Sequence, residues 1–138
     1  MANYYSDYPE LEFHLHHPLM ERIVELKERG YSDRETYDDA PVDFEDALEN
    51  YSKVLEIAGD IAANIIEPNS ESVDLEGPHL ENGRMIYASK TYENIEAMKK
   101  AGLTGVEMPR RYGGLNLPIT VFTMISEIVS AADSSFQN

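Results

Sequence analysis

The sequence contains no cysteine, and no run of apolar residues in it approaches the roughly 18–20 needed to cross a bilayer. Without cysteine the chain has no disulfide, no thiol nucleophile and no thiolate ligand for a metal, as is typical of proteins in a reducing compartment. Its start, MANYYSDYPE, lacks the basic and apolar regions of a secretory signal. We therefore expect no membrane span and a cytoplasmic location.

Basic residues are also scarce. Eleven lysines and arginines stand against 26 acidic residues, which gives a net charge of −15. Residues 1–90 carry 21 acidic and 7 basic side chains, whereas residues 91–138 carry 5 and 4. The acidic part would repel a phosphate backbone and an anionic membrane surface, so nucleic acid is excluded as an expected partner.

The usual catalytic motifs are missing. The chain has no G-x-S-x-G elbow, no Walker loop and no G-x-G-x-x-G segment. Three histidines cluster at His14, His16 and His17, but no cysteine or suitably spaced carboxylate completes a ligand set, so no metal site is expected. From the residues alone, no catalytic group is assigned.

Two arginines adjoin a glycine turn in the sequence Arg110-Arg111-Tyr112-Gly113-Gly114. Side chains and turn amides together could bind an anion. Alternatively, the arginines offset the acidic residues of the N-terminal half or lie in solvent. Both interpretations stay open at the level of sequence.

Apolar residues that recur every three to four positions predict four helices. These span residues 18–29, 42–67, 91–101 and 118–133. In the first, Leu19, Ile23 and Leu26 would form the buried face. Asp43 is the expected N-cap of the second helix, and Pro68 its expected end, because proline lacks the N–H that a helix interior needs.

Non-helical segments are predicted at the N-terminus and in the middle of the chain. The tyrosine-rich residues 1–17 would form an irregular arm that packs its aromatic rings either on its own domain or on a neighbouring subunit. Asn82-Gly83 suits a type I′ turn, so a small hairpin is expected within residues 78–88. The predicted fold class is therefore all-α: a helical bundle with an irregular arm and this hairpin.

The segment that joins the third and fourth predicted helices contains residues that typically end helices or form turns. Ser89 or Thr91 would cap the third helix, and Gly102 would end it. Val106 to Met108 is expected to be a brief extended run. The turn at Gly113-Gly114 then leads into the last helix.

The segment AGLTGVEMPRRYGGLNLP, followed by an apolar helix that ends in Ala-Ala-Asp, resembles a known family. It is similar to the N-terminal helical domain of the acyl-CoA dehydrogenases, which carry a comparable glycine, proline and Tyr-Gly-Gly pattern between two helices. The resemblance extends back to about Asp43, so residues 42–138 are expected to form that domain. Residues 1–41, with one helix, resemble the N-terminal extension of the family's larger subgroup.

The resemblance implies a flavoenzyme that removes hydrogen from Cα and Cβ of an acyl-CoA thioester. In that family a glutamate is the base, FAD accepts the hydride, and an electron-transfer flavoprotein accepts the electrons. The base and the principal flavin contacts lie in a following β domain and a second helical domain, which these residues do not include. We therefore expect no catalytic residue and no FAD bound by this chain alone, and a homo-oligomer for the full-length enzyme.

The resemblance also implies where the acyl chain would be contacted. Ser135, Phe136 and Gln137 follow the Ala-Ala-Asp end of the last helix, where the family's first domain helps to wall the acyl-chain cavity. These three residues are the predicted substrate-binding positions, with ordinary helix packing as the alternative. No cofactor-binding residue is assigned.

A second function remains open from the charge alone. The acidic residues 1–90 would attract a cationic partner over a distance. This favours a freestanding acidic helical module that binds a basic protein without catalysis.

Overall fold

The computed structural model describes residues 2–138 and is mostly helical. In chain order its elements are α1 (Pro9–Leu15), α2 (Met20–Lys27), α3 (Phe44–Ile61), α4 (Glu67–Glu76), β1 (His79–Glu81), β2 (Arg84–Ile86), α5 (Ser89–Lys100), α6 (Ile119–Ala132) and α7 (Ser134–Gln137). Single turns of 3₁₀ helix occur at Ser32–Glu35 and Arg110–Tyr112. The all-α prediction is confirmed.

The core lies between α3 and α6, which pack against each other along their apolar faces. The Asp43 carboxylate caps α3 by accepting a hydrogen bond from the Asp46 N–H at 2.9 Å, as predicted. Buried apolar side chains from both helices form the centre of the core: Ala47, Tyr51, Leu55, Ala58, Val121, Ile125, Ile128 and Val129. Leu117, just before α6, and Phe136, just after it, pack against the same core.

The second predicted helix does not end at Pro68. A π-helical turn at Ala62–Ile66 follows α3, and the chain continues as α4 to Glu76. In the wide turn the Glu67 N–H bonds the carbonyl of Ala62, five residues back. Pro68 follows this wide turn directly, at a place where the regular i→i−4 bonding is already interrupted, so the helix continues past its missing N–H.

Residues 1–41 are more regular than predicted. Their described part, residues 2–41, contains two α-helices where one was predicted, and the arm predicted to be irregular includes α1. Pro9 begins α1 with its preset φ, and Leu11 and Leu15 bury one face of the helix in the same apolar core as α3 and α6. The boundary between residues 41 and 42 stays a prediction, because the apolar core is continuous across it.

The predicted hairpin is confirmed. Leu80 pairs with Met85 in the antiparallel β1–β2 register, and both turn residues, Asn82 and Gly83, have positive φ angles of 51° and 75°. The predicted cap of α5 is wrong, since Ala88 occupies the N-cap position. The Glu76 carboxylate supplies the cap from α4, accepting the Ser89 N–H at 3.0 Å and the Ser89 hydroxyl at 2.7 Å.

The end of α5 follows the prediction, whereas the next segment does not. Gly102 has φ of +71°, and the Leu103 N–H bonds the Met98 carbonyl at 2.9 Å, which closes the helix as expected. The extended run predicted at Val106 to Met108 is wrong. Residues 104–107 form turns, because Gly105 takes a positive φ of 76° and bends the chain there.

Within residues 2–138, no helix is both long enough and apolar enough to cross a membrane.

Candidate functional site

The residues predicted to contact substrate lie in α7, immediately after α6. Asp133 leaves the helical conformation and caps α7: its Oδ1 accepts hydrogen bonds from the Ser135 N–H at 2.9 Å, the Ser135 hydroxyl at 2.6 Å and the Phe136 N–H at 3.2 Å. The extended backbone of Asp133 separates α7 from α6, and α7 packs against α6 and places Phe136 on the core. The Ala-Ala-Asp ending therefore sets where the next residues point.

Ser135 and Phe136 line one side of a cleft of about 460 Å³. Its other walls come from α4, from the residues flanking the hairpin and from the start of α5: Val73, Pro78, Tyr87, Ala88, Thr91 and Ile95. Phe136 is half-buried and packs against the core, while Ser135 is exposed. Gln137 does not line this cleft. The geometry brings two of the three predicted residues to an open, largely apolar surface.

The buried face of α2 matches the predicted one only at Ile23, which is partly buried and packs against the core. Leu19 and Leu26 are 61% exposed, whereas Met20 and Val24 are buried. Glu28 continues the row of Met20 and Val24 at four-residue spacing, and its side chain is fully buried. A glutamate on the core side of α2 therefore needs partners.

Arg110 is the principal partner of Glu28. Its Nη1 donates to Glu28 Oε2 at 2.7 Å and its Nη2 to Glu28 Oε1 at 3.0 Å, a two-point contact with the guanidinium side chain only 3% exposed. Nη1 also donates to Asp33 at 3.3 Å. Burial lowers the pKa of Arg110, but the hydrogen bonds and charge of Glu28 outweigh it, so the pKa is raised overall.

Two more donors complete the surroundings of the Glu28 carboxylate. The Tyr51 hydroxyl on α3 lies 3.4 Å from Oε1, and Asn116 Nδ2 lies 3.4 Å from Oε2. Asn116 Nδ2 also donates to the Lys27 carbonyl at 3.2 Å, and Lys27 Nζ donates to the Glu107 carbonyl at 3.1 Å. The last turn of α2 is thus hydrogen-bonded to both ends of the segment from residue 107 to residue 116.

These contacts decide between the two interpretations of the arginines. Arg110 offsets acidic residues of the N-terminal half, as one interpretation predicted. Arg111 is exposed, with its guanidinium carbon 4.8 Å from the centre of the Tyr112 ring. Glu28, Tyr51 and Asn116 were missed from the sequence. Met20, Val24 and Glu28 recur every four residues, and this spacing could have placed Glu28 on the buried face of α2. A pattern that counts only apolar residues leaves Glu28 out.

We expect Tyr51→Phe to make the protein less sensitive to alkali. Burial, and then the charge of Glu28, raise the pKa of Tyr51 above its ordinary value of 10.0. The folded state therefore holds the phenol neutral, and the stability from that preference is lost as pH rises above about 10, by up to about 1.4 kcal/mol per pH unit. Tyr51→Phe removes this contribution.

The measurement is the free energy of unfolding by urea between about pH 8 and pH 11. The other tyrosines are present in both proteins, so the difference in slope reports Tyr51 alone. Parallel pH profiles for wild type and Tyr51→Phe would contradict the burial of the neutral phenol.

The fold and these contacts define an all-α domain whose last long helix ends beside an apolar cleft. A family model described as "Acyl-CoA dehydrogenase, N-terminal domain" matches residues 49–138. The chain belongs to the acyl-CoA dehydrogenase family, as its glycine and proline segment predicted.

A curated relative is similar over much of the same region. A protein of Ruegeria pomeroyi named 3-methylmercaptopropionyl-CoA dehydrogenase is 32% identical over 99 residues, which cover 66% of this chain and 17% of the relative. The chain thus spans less than a fifth of the length of the relative it matches.

Proposed function

We propose that this chain is the N-terminal part of a flavin-dependent enzyme that dehydrogenates an acyl-CoA thioester between Cα and Cβ. The match of residues 49–138 to the family's N-terminal domain is the observation that carries the proposal. In this assignment the chain contributes no catalytic base, and its role is to form one wall of the cleft that holds the acyl chain and the flavin. The further partners are an electron-transfer flavoprotein and other copies of the full-length enzyme, in the cytoplasm.

The glycine turn of this chain does not fit a flavin phosphate. Arg110, its buried cation, is already held by Glu28 at two points. Neighbouring Asp33 and Asp39, 3.3 and 3.9 Å from the guanidinium, would repel a further anion. FAD is therefore assigned to the full-length enzyme, and no step of the flavin chemistry is assigned to residues described here.

The test of the proposed activity uses the full-length enzyme that contains this domain. Acyl-CoA thioesters of graded length, with 3-methylmercaptopropionyl-CoA among them, are added without oxygen while the visible absorbance of oxidised flavin is followed. Loss of that absorbance together with formation of the 2,3-enoyl product supports the proposal. A purified protein that binds no flavin, or that leaves every thioester unchanged, would refute it.

Phe136 is proposed to shape the acyl cavity of that enzyme. It is the largest side chain that α7 brings to the apolar cleft, and the Asp133 cap fixes its backbone. Phe136→Ala should shift kcat/KM toward longer or bulkier acyl groups by roughly 10-fold relative to wild type, as expected when a hydrophobic pocket gains the volume of a few methylenes. The readout is the ratio of kcat/KM for a long and a short acyl-CoA.

Phe13→Ala is the matched control for Phe136→Ala. Phe13 undergoes the same chemical change but is 73% exposed on α1, away from the cleft. The control should leave the ratio unchanged. If Phe136→Ala lowers kcat/KM equally for all chain lengths, the residue serves the packing of α7 and not substrate selection.

The second candidate is a freestanding acidic module that binds a basic protein. The excess of 21 acidic over 7 basic side chains in residues 1–90 favours it. Its signature would be a partner captured at low salt and released as ionic strength rises, by the isolated chain and without any flavin.

A further inference from the structure

The Glu28 carboxylate lies in a small polar site, here called the chamber, formed by Tyr51, Arg110 and Asn116. Glu28 belongs to residues 2–41, here called the N-terminal segment, and all the donors to its carboxylate come from later in the chain. Arg110 supplies two N–H groups at 2.7 and 3.0 Å, and Tyr51 and Asn116 supply one donor each at 3.4 Å. The Glu28 side chain is 0% exposed and that of Arg110 is 3% exposed. Four donors around two oxygens, shielded from water, match the hydrogen-bonding capacity of one carboxylate.

The donors and the carboxylate belong to different parts of the chain. Tyr51, Arg110 and Asn116 all lie within residues 49–138, the part that matches the family's N-terminal domain, whereas Glu28 lies before it. We propose that this chamber is a carboxylate-binding site of the domain, which the N-terminal segment fills in cis with Glu28 as its internal ligand. The proposal stands independently of the dehydrogenase activity.

The chamber has support that does not depend on Glu28. Tyr51 is fixed by its place in the core of α3, where it is 1% exposed. The backbone around Asn116 is held by two hydrogen bonds of 2.9 Å, from the Asn116 N–H to the Met108 carbonyl and from the Leu117 N–H to the Val106 carbonyl. Removing the Glu28 side chain would therefore leave a cavity that keeps the hydrogen-bond donors of Arg110, Tyr51 and Asn116, with the number of carboxylates beside the guanidinium reduced by one.

The N-terminal segment should stay docked when Glu28 is shortened. Leu11, Leu15, Met20 and Val24 remain buried in the shared core and hold α1 and α2 in place. Asp33 contacts Arg110 Nη1 at 3.3 Å from the 3₁₀ turn at Ser32–Glu35, and its other carboxylate oxygen is already paired with Arg29. A small carboxylate from solution can then take the position of the missing one.

The experiment is chemical rescue of Glu28→Ala in the whole chain. The variant should unfold roughly 10–20 °C below wild type, because Arg110 is left buried without its main partner. Sodium acetate should raise the unfolding temperature of the variant part of the way back to that of wild type, by an amount that grows with the logarithm of its concentration. Acetamide has the same shape without the charge and should restore none. If the variant is unfolded in buffer alone, the same comparison is made on the gain of helical circular dichroism.

Three control variants test whether the rescue depends on the vacated position of Glu28 and on the Arg110 guanidinium. Glu25→Ala removes an exposed carboxylate from the same helix, one that pairs with Arg22 in solvent, and should show neither the fall nor the rescue. Glu28→Gln fills the cavity with an amide and should not respond to acetate. The double variant Glu28→Ala/Arg110→Met lacks the guanidinium and should lose the response.

The proposal fails if acetate stabilises Glu28→Ala no more than it stabilises wild type at equal ionic strength. It fails equally if acetamide matches acetate, or if the double variant still responds. Inorganic phosphate that rescues as well as acetate would overturn the assignment to carboxylates in particular, since the chamber has room and donors for two oxygens.

Discussion

Arg110→Met lowers the free energy of unfolding by about 3–5 kcal/mol, which is the largest effect we expect from a single substitution in this chain. The change leaves the fully buried Glu28 carboxylate with only the two long contacts, from Tyr51 and Asn116. Methionine fills most of the volume of the arginine stem, so the loss comes from the uncompensated charge and not from a void. Urea unfolding followed by circular dichroism measures it.

Arg111→Met is the matched control, because the same chemical change is made at the next residue. Arg111 is exposed and lies over the Tyr112 ring, a contact worth about 0.5–1 kcal/mol at an exposed site. Equal losses for the two variants would show that Glu28 finds water or another partner. The double variant Glu28→Leu/Arg110→Met should recover most of the loss, since replacing a whole buried ion pair by apolar groups is often neutral.

Gly114→Ala is expected to cost about 3 kcal/mol, at the upper end of what overpacking usually costs. A Cβ at this position would lie 2.1 Å from the carbonyl oxygen of Met108 and 2.6 Å from its carbonyl carbon. Both are backbone atoms, so no rotamer change relieves the contact. The same oxygen accepts the Asn116 N–H at 2.9 Å, so the clash would also strain the turn that carries Asn116.

Gly113→Ala separates this clash from backbone strain. Gly113 has φ of +85°, but nothing lies within 4 Å of its hypothetical Cβ. Alanine there should cost about 1–2 kcal/mol, the price of the left-handed conformation alone. Urea unfolding of both variants gives the comparison. A smaller loss for Gly114→Ala than for Gly113→Ala would mean that the Met108 carbonyl moves aside freely.

The two glycines also show what a sequence pattern conveys. Gly113-Gly114 was predicted as a turn, and it is one, but the two residues are needed for different reasons: one for its φ angle and one for the absence of a Cβ. The first reason is local and is visible in sequence. The second depends on Met108, whose carbonyl lies against Gly114 because the 3₁₀ turn at Arg110–Tyr112 brings the chain back on itself.

The same division applies to the rest of the fold. The hairpin and the stop at Gly102 follow from local backbone preferences and were predicted correctly. The buried face of α2 depends on a tertiary partner, and Arg110 is 82 residues away from Glu28 along the chain. Periodicity that counts only apolar residues selected Leu19 and Leu26, which face solvent. The role of Ser135, Phe136 and Gln137 stays a prediction.

The π-helical turn at Ala62–Ile66 also affects which way the buried row of the long helix faces. Buried residues recur at intervals of four from Ala47 to Tyr51 and Leu55, and again from Ala58 to Ala62 and Ile66. An α-helix has 3.6 residues per turn, so a row with this longer repeat drifts steadily around a straight helix. A turn that contains an extra residue rotates the row back and brings Ile66 over the core again. The three-residue step from Leu55 to Ala58 reverses part of this drift, but in a uniform α-helix Ile66 would still lie about 100° around the axis from Ala47, and the π-helical turn removes part of that rotation.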